Sequence, residues 1–272
     1  MPPKTPRSNT WSHRGLRLEQ ALLQREFVLH YQPKINMRTG AVVGAEALIR
    51  WQHPERGLLA PGLFLPLIEK HALNEAVGCW MLETAVEQMD IWLQKGLRLP
   101  LSVNVSARQF QDAHFVTKRA DLMARHPQVN RGLLELEILE TSALEDMIAV
   151  EKVIRDCQEI GVDFSLDDFG TGYSSLTYLK RLPVATLKID QSFVRGMLDE
   201  AGDLSIVKGI IGLASAFNRS VIAESVETEA HGQRLLLLGC ELAQGYGIAR
   251  PMPADQILRW VSEWQAPAAW MH

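Results

Sequence analysis

Seven polar residues of this chain sit where short apolar runs carry chemistry: Glu46, Asn104, Glu137, Asp167, Asp168, Lys188 and Glu224. In LSVNVS, Leu101, Val103 and Val105 alternate with Ser102 and Asn104. In LLELEIL, Leu134, Leu136 and Ile138 alternate with Glu135 and Glu137. In DFSLDD, Phe164 and Leu166 oppose Ser165 and Asp167. In TLKID, Leu187 and Ile189 oppose Lys188, and in VIAES, Val221 and Ala223 oppose Ile222 and Glu224. Period two puts apolar side chains on one face of a strand and polar ones on the other. If each apolar face packs on outer helices, the polar faces meet inside. Glu135 points the same way but lies deeper and reads as a structural buried acid, and Lys188 suits an ion pair with Glu135 or Glu137.

Glu46, Glu137, Asp167, Asp168 and Glu224 with Lys188 give such a ring a formal charge of −4. Carboxylates this close repel and raise one another's pKa values. Two divalent cations supply the balancing charge. A donor set of oxygens, without cysteine or histidine, suits the hard ions Mg²⁺ or Mn²⁺ rather than zinc. Paired cations about 3.5–4 Å apart are a common device for displacement at phosphorus, and the adjacent Asp167 and Asp168 could bridge and extend such a pair.

The elements that must position these residues form a regular series. Residues 26–32 and 41–51 read as a strand pair with 36–40 as the turn. Residues 61–68 read as a short helix, and 74–95 as a long one with Asn74 as its N-cap. Strand-like runs at 101–105, 133–139, 163–167, 186–190, 220–223 and 241–243 then alternate with helical ones. The helical runs extend to about 125, then cover 147–160, 176–181, 204–217, 228–238 and 254–264. Seven or eight βα units in about 250 residues predict a closed parallel (β/α)₈ barrel. No G-x-G-x-x-G follows a strand, which argues against a dinucleotide-binding sheet. Barrel enzymes build their sites at the C-terminal strand ends, where the ring falls.

Composition sets the outer bounds. The chain has 272 residues, 47% of them hydrophobic, and a net charge of −4, which gives no pull toward a DNA or RNA polymer. No apolar run approaches the roughly 18 residues of a membrane span. Cys79, Cys157 and Cys240 are scattered, which argues against a disulfide framework and fits a reducing cytoplasm. Residues 1–15 are polar and basic, reading as a disordered leader or the remnant of a cut from a longer protein; 16–272 read as one domain. Trp260, Trp264 and Trp270 can pack the last helix or a partner.

The same residues lie in eight ordered strings: YQPK (31–34), EALIRW (46–51), SVNVSARQF (102–110), LELEILETS (134–142), LDDFGTGYSSL (166–176), LKIDQSFV (187–194), AESVETE (223–229) and QGYGIARPMP (244–253). Together they resemble the EAL family of cyclic di-GMP phosphodiesterases. The resemblance implies a modified (β/α)₈ TIM barrel with one antiparallel strand near the start. It implies one cation on Glu46, Asn104, Glu137 and Asp167, and a second on Asp167 and Asp168 with Glu224 nearby. Lys188 would orient the attacking water, with Glu224 the other candidate for base work. Gln32, Leu48, Arg50, Glu227 and Gln244 would line the substrate pocket, Arg50 being suited to a phosphate. Phe169, Gly170 and Gly172, anchored by Glu140, would couple the site to a homodimer. The implied reaction is in-line attack of a metal-bound water or hydroxide on cyclic di-GMP, giving linear pGpG. The alternative is a receptor that binds cyclic di-GMP without cleaving it. One position departs from the pattern: Ser225 stands where the family commonly has glycine. If φ is positive there, serine costs about 1 kcal/mol.

Overall fold

The computed structural model describes residues 17–271 except 70, 131, 146 and 173–175. The expected leader at 1–15 lies outside the described residues. A helix whose described part covers 17–23 (α1) precedes the first strand, β1 (Phe27–Asn36). A turn returns the chain as β2 (Val42–His53), and β3 (Gly57–Leu59) folds back on it. One 3₁₀ turn (Pro61–Leu63) leads to α2 (Leu65–Glu69) and the long α3 (Leu73–Gln94). Then come β4 (Leu101–Val105), α4 (Ala107–Phe110), α5 (Phe115–Arg125), β5 (Leu134–Leu139), α6 (Glu140–Glu145) and α7 (Met147–Glu159). The remainder is β6 (Asp163–Phe169), α8 (Leu176–Arg181), β7 (Thr186–Ile189), α9 (Gln191–Gly196), α10 (Ala201–Ala216), β8 (Ser220–Ala223), α11 (Glu229–Leu238), β9 (Leu242–Ala243) and α12 (Ala254–Glu263).

The strand order is β1-β9-β8-β7-β6-β5-β4-β2-β3, and β1 also pairs with β2. That pairing closes eight strands into a barrel and leaves β3 as an appendage on β2. β2 and β4 to β9 run parallel, while β1 is antiparallel to both neighbours. The expected modified barrel is thus the fold. A ten-residue strand returning through a tight turn at 37–40 is a hairpin partner and has no crossover helix to make it parallel.

Between barrel and helices lie the apolar halves of the alternating strands. Val103, Leu136, Phe164, Leu166, Leu187 and Ala223 are all fully buried. Their polar alternates face inward, and strand register stacks them. Glu46 stands beside Ser102, Asn104 beside Glu137, and Glu137 beside Ser165.

The structure corrects four expectations. Asn74 is no N-cap: α3 starts one residue earlier, and buried Asn74 accepts a hydrogen bond from Ser106 Oγ (2.7 Å), tying α3 to the loop after β4. The helix expected to run unbroken to 125 is split into α4 and α5. Asp112 Oδ1 accepts the His114 amide (2.9 Å) and makes a turn there, a local bond that competes with helix. Two short helices that the alternation did not disclose, α6 and α9, follow β5 and β7 directly. Asp190 belongs to no strand; its carboxylate accepts the Ser192 amide (2.9 Å) and caps α9.

The terminal tryptophans pack within the chain. Trp260 and Trp264 stack at 4.9 Å, and Trp264 Nε1 donates to the Gly40 carbonyl in the β1–β2 turn (3.1 Å). Trp270 is buried and donates to Glu229 O (2.9 Å). It lies so close over Gly232 that a Cβ there would fall 2.4 Å from the indole. No helix among the described residues is long and apolar enough to cross a membrane.

Candidate active site

At the C-terminal ends of the strands, Lys188 sits at the centre of the inward-facing acids. It is wholly buried, and its Nζ lies 2.5 Å from Glu137 Oε2, 2.7 Å from Glu224 Oε1, 3.0 Å from Asp167 Oδ1 and 3.5 Å from Glu46 Oε2. Burial alone would depress the ammonium's pKa; Asp167, Glu137, Glu224 and Glu46 outweigh it and hold the pKa well above the usual lysine value. Glu137 is equally buried, yet Lys188 and Lys34 overcome that burial and keep its carboxyl far below the carboxylate range.

The outer acids behave oppositely. Burial, then repulsion from Glu137, pushes Glu46 up to about 7 in spite of Lys188. Burial and the neighbouring Asp167 push Asp168 to about 7 as well. Glu224 is raised well above its ordinary value, by burial first, with Asp167 and Glu46 adding to it. One lysine therefore does not neutralise this mouth; its acids retain protons that a divalent cation would displace.

Hydrogen bonds fix the directions of the donors. Glu46 Oε1 accepts from Asn104 Nδ2 (2.8 Å), and Glu46 Oε2 accepts from Gln244 Nε2 (2.7 Å). Gln244 also donates to Gln32 Oε1 (2.9 Å), and Gln32 donates to Ala249 O (2.9 Å). Gln244 Oε1 is buried with no partner among the described residues, an acceptor left for water or ligand.

Strict alternation would send Asp168 out of the barrel, because Asp167 points in. The β6–β7 register shifts between Leu166 and Phe169, and Asp168 adopts φ +53°. A bulge of this kind re-aims a side chain. Asp167, Asp168 and Glu224 consequently present oxygens within 4.8 Å of one another. These three fit a hard divalent cation by donor type and spacing. Asp190 stands beside Asp168 and, after burial and Asp167, adds to the rise of its pKa, a neighbour that the motif reading left unused.

Lys34 is the larger omission. In β1 it shares the inward phase of Gln32, two residues further from the mouth because this strand runs the other way. Its Nζ lies 2.8 Å from Glu137 Oε1, 2.7 Å from Ser102 Oγ and 3.4 Å from Glu135 Oε1. Lys34 rather than Lys188 is thus the partner of Glu135. Glu135 proves partly exposed at the lower end (side chain 24%) instead of buried. The period-two phase of YQPK, read for β1 as for the other strands, would have found Lys34.

The remaining expected residues divide. Gln32, Glu46, Leu48, Asp167, Glu224 and Gln244 line one cavity of about 210 Å³. Asn104 and Leu48 also line a neighbouring cavity of about 500 Å³ that extends toward α3. Arg50 follows Glu46 and Leu48 on the same strand face, half-buried, with Nη1 donating to Ile49 O (2.8 Å). Glu227 is exposed at the rim, paired with Arg195 (2.9 Å), and is not brought into the cavity. Glu140 is fully buried, and its Oε2 accepts the amides of Gly170 (2.8 Å) and Gly172 (3.3 Å). A Cβ at Gly172 would fall 2.7 Å from Glu140 Oε1, so only glycine lets the loop approach this carboxylate. Phe169 is buried beside it, and Tyr173, Ser174 and Ser175 lie outside the described residues.

A closed barrel with an all-oxygen acidic mouth defines a class of site, and comparison with known proteins narrows it. Residues 16–251 match the family model described as the EAL domain. The chain belongs to the EAL domain family. It is 45% identical over 242 residues to the bifunctional diguanylate cyclase/cyclic di-GMP phosphodiesterase MucR of Pseudomonas aeruginosa, covering 89% of this chain and 35% of that one. It is 40% identical over 245 residues to the cyclic di-GMP phosphodiesterase PA2567 of the same organism, covering 90% and 42%. The chain therefore spans well under half the length of these relatives. The solved MucR phosphodiesterase in complex with c-di-GMP superposes with a TM-score of 0.86 at 43% identity, covering 90% of this chain and 99% of that chain. The EAL enzyme Bd1971, bound to cAMP and cyclic di-GMP, gives 0.87 at 33% identity, covering 94% and 70%.

Proposed function

We propose that this domain is a metal-dependent phosphodiesterase that hydrolyses cyclic di-GMP to linear pGpG. The observation that carries the reading is the convergence of Glu46, Glu137, Asp167 and Glu224 on one buried lysine, with Asp168 turned to the same mouth. Relatives named as cyclic di-GMP phosphodiesterases are 40–45% identical over about nine-tenths of this chain, and the solved MucR phosphodiesterase shares its fold.

In this reading Glu46, Asn104, Glu137 and Asp167 hold one Mg²⁺ or Mn²⁺, and Asp167, Asp168 and Glu224 hold a second. When bound, such cations lower the pKa of an attacking water and offset charge growing on the phosphodiester. The protein's own part is positional and electrostatic. Asn104 and Gln244 hold the Glu46 carboxylate in one orientation through its two oxygens. The Lys188 ammonium, linked to Asp167 and Glu224, orients the water for in-line attack. Glu224, 2.7 Å from the Lys188 ammonium, is the acceptor for the water's proton. The new P–O bond forms as the opposite ester P–O bond breaks, and the departing ribose oxygen takes up a proton. Arg50 and Leu48 face the substrate from β2, with Gln32, Gln244 and Glu227 completing the pocket and its rim. The loop from Phe169 to Gly172, held by Glu140, connects this mouth to a homodimer interface. We place the domain in the cytoplasm, within a larger signalling protein; three unbridged cysteines support a reducing compartment.

Chelation tests the metal requirement. Protein stripped with EDTA is expected to lose turnover of cyclic di-GMP and regain it with Mg²⁺ or Mn²⁺, at two ions per chain. Glu46 and Asp168 must each shed a proton held to about pH 7. The cation concentration for half-maximal rate should therefore fall as pH rises from 6 to 8. Full activity in excess chelator would sink the metal requirement, and tight binding of cyclic di-GMP with no cleavage once cations return would sink the enzyme reading.

A further inference from the structure

Four non-glycine residues among those described have positive φ: Arg25, Asp168, Asn218 and Ser225. Two have an ordinary cause. Arg25 follows α1 and Asn218 follows α10, and the next amides close helix-ending bonds, Glu26 N to Ala21 O (2.9 Å) and Arg219 N to Ala214 O (2.8 Å). Asp168 is the re-aimed carboxylate. That leaves Ser225, at φ +52°, with no helix end to justify it.

The surrounding backbone enforces the turn. Val226 N donates to Gln244 O (3.0 Å), and Gly247 N donates to Val226 O (2.9 Å), clamping the β8–α11 loop against the β9–α12 loop. A Cβ on Gly245 would stand 2.2 Å from Val226 N, so the two loops touch backbone to backbone. Glycine would meet this geometry at Ser225 without strain; serine meets it with a hydroxyl that glycine lacks. Strain kept at a site mouth points to function.

That hydroxyl lies 3.4 Å from Gln191 Oε1, within loose hydrogen-bond reach. Donation to Oε1 turns Gln191 Nε2 away from Ser225. Gln191 and Ser225 line the 210 Å³ cavity together with Arg195, one helical turn along α9. Among the described residues, the Arg195 guanidinium is engaged through Nε alone, by Glu227 at 2.9 Å. The same cavity is lined by Glu46, Asp167 and Glu224. The pocket lining therefore combines three acids with the donors of Gln191 and Arg195.

We propose that Ser225 is a positioning residue: it fixes the Gln191 carboxamide so that Gln191 and Arg195 form a donor edge for the substrate phosphodiester that is not being cleaved. This inference rests on the cyclic di-GMP reading above. A cyclic dinucleotide carries two phosphodiesters. The acids tolerate one only with cations, and the other needs donors such as these. Gln191 and Arg195 then contribute to holding a doubly anionic ring rather than to the chemical step.

The test sets strain against binding. Ser225→Gly is expected to raise the melting temperature by about 2–3 °C as strain is relieved. The same variant should raise the KM for cyclic di-GMP about three- to tenfold, because the donor edge is lost. Ser225→Ala should raise KM similarly with no gain in melting temperature, which separates the hydroxyl from the backbone. Gln191→Glu should weaken KM more than either, since it puts a carboxylate against the phosphate. If wild-type protein binds without cleaving, the dissociation constant replaces KM in each comparison. A Ser225→Gly variant that gains stability at wild-type KM overturns the inference and leaves the phosphodiesterase reading standing. Wild-type protein that neither binds nor cleaves cyclic di-GMP overturns both.

Discussion

Lys188→Met is expected to lower the melting temperature of the cation-free protein by about 10 °C and to reduce turnover at least about 100-fold. The substitution fills much the same volume, so packing is nearly preserved and charge is what changes. Four carboxylates within 3.5 Å lose their shared ammonium inside a buried mouth. Removing one partner of a buried ion cluster costs about 3–5 kcal/mol, because the remaining charges stay unpaired. For a domain of this size each kcal/mol moves the melting temperature by about 2–4 °C. Mg²⁺ or Mn²⁺ should then stabilise the variant more than the wild type, since the freed carboxylates bind the cation in place of the lysine. The turnover loss has a separate origin, the water that Lys188 would orient, and added cation should not restore it. Differential scanning fluorimetry with and without Mn²⁺, beside a rate measurement, separates the two effects. Equal cation-induced shifts in variant and wild type would contradict the central role given to Lys188.

Glu46→Ala should behave in the reverse way, severe in rate and mild in stability. Turnover is expected to fall about 1,000-fold or more, roughly 4 kcal/mol of barrier, because this carboxylate organises Asn104 and Gln244 as well as any cation. Stability changes little because Glu46 is held against repulsion. Its pKa rises from 4.5 to about 7 on folding, so the folded chain holds a proton that the unfolded chain has already released between those values. Cation-free wild type therefore loses stability as pH rises from about 4.5 through 7, and the alanine variant loses less. Two orphaned amide donors cost about 1–3 kcal/mol each against that relief. Thermal melts of cation-free protein at pH 5 and pH 8 measure the crossover. A wild type that gains stability over this interval relative to Glu46→Ala would contradict it.

The inward ring was legible because period two is a strong signal in strands of four to seven residues. Leu136 and Glu137, or Leu187 and Lys188, cannot share a face. The antiparallel start was legible from a turn too short for any crossover. Asp168 was legible as an acid but not as a ligand direction. A bulge is set by how β6 meets β7, and no residue in DFSLDD announces it. The helices α6 and α9 were missed for a related reason. Six residues give less than two turns of periodicity; Glu140 at the start of α6 is held to Gly170, thirty residues on, and α9 rests on the local cap from Asp190 to the Ser192 amide. Lys34 was available to the same reasoning that found Lys188. The strand hosting it runs the opposite way, however, so its depth in the barrel follows only from the closed sheet. With Lys34 and Glu135 both included, the interior keeps the formal charge of −4 first counted at the mouth.

The most direct test is the identity of the product. Purified protein, cyclic di-GMP and Mn²⁺ are incubated in water enriched in ¹⁸O, and the nucleotides are separated and weighed by mass spectrometry. Hydrolysis at one phosphodiester predicts linear pGpG carrying a single ¹⁸O on its terminal phosphate, formed by wild type and not by Glu46→Ala. Unchanged cyclic di-GMP, or cleavage that leaves no label on phosphorus, would contradict the account.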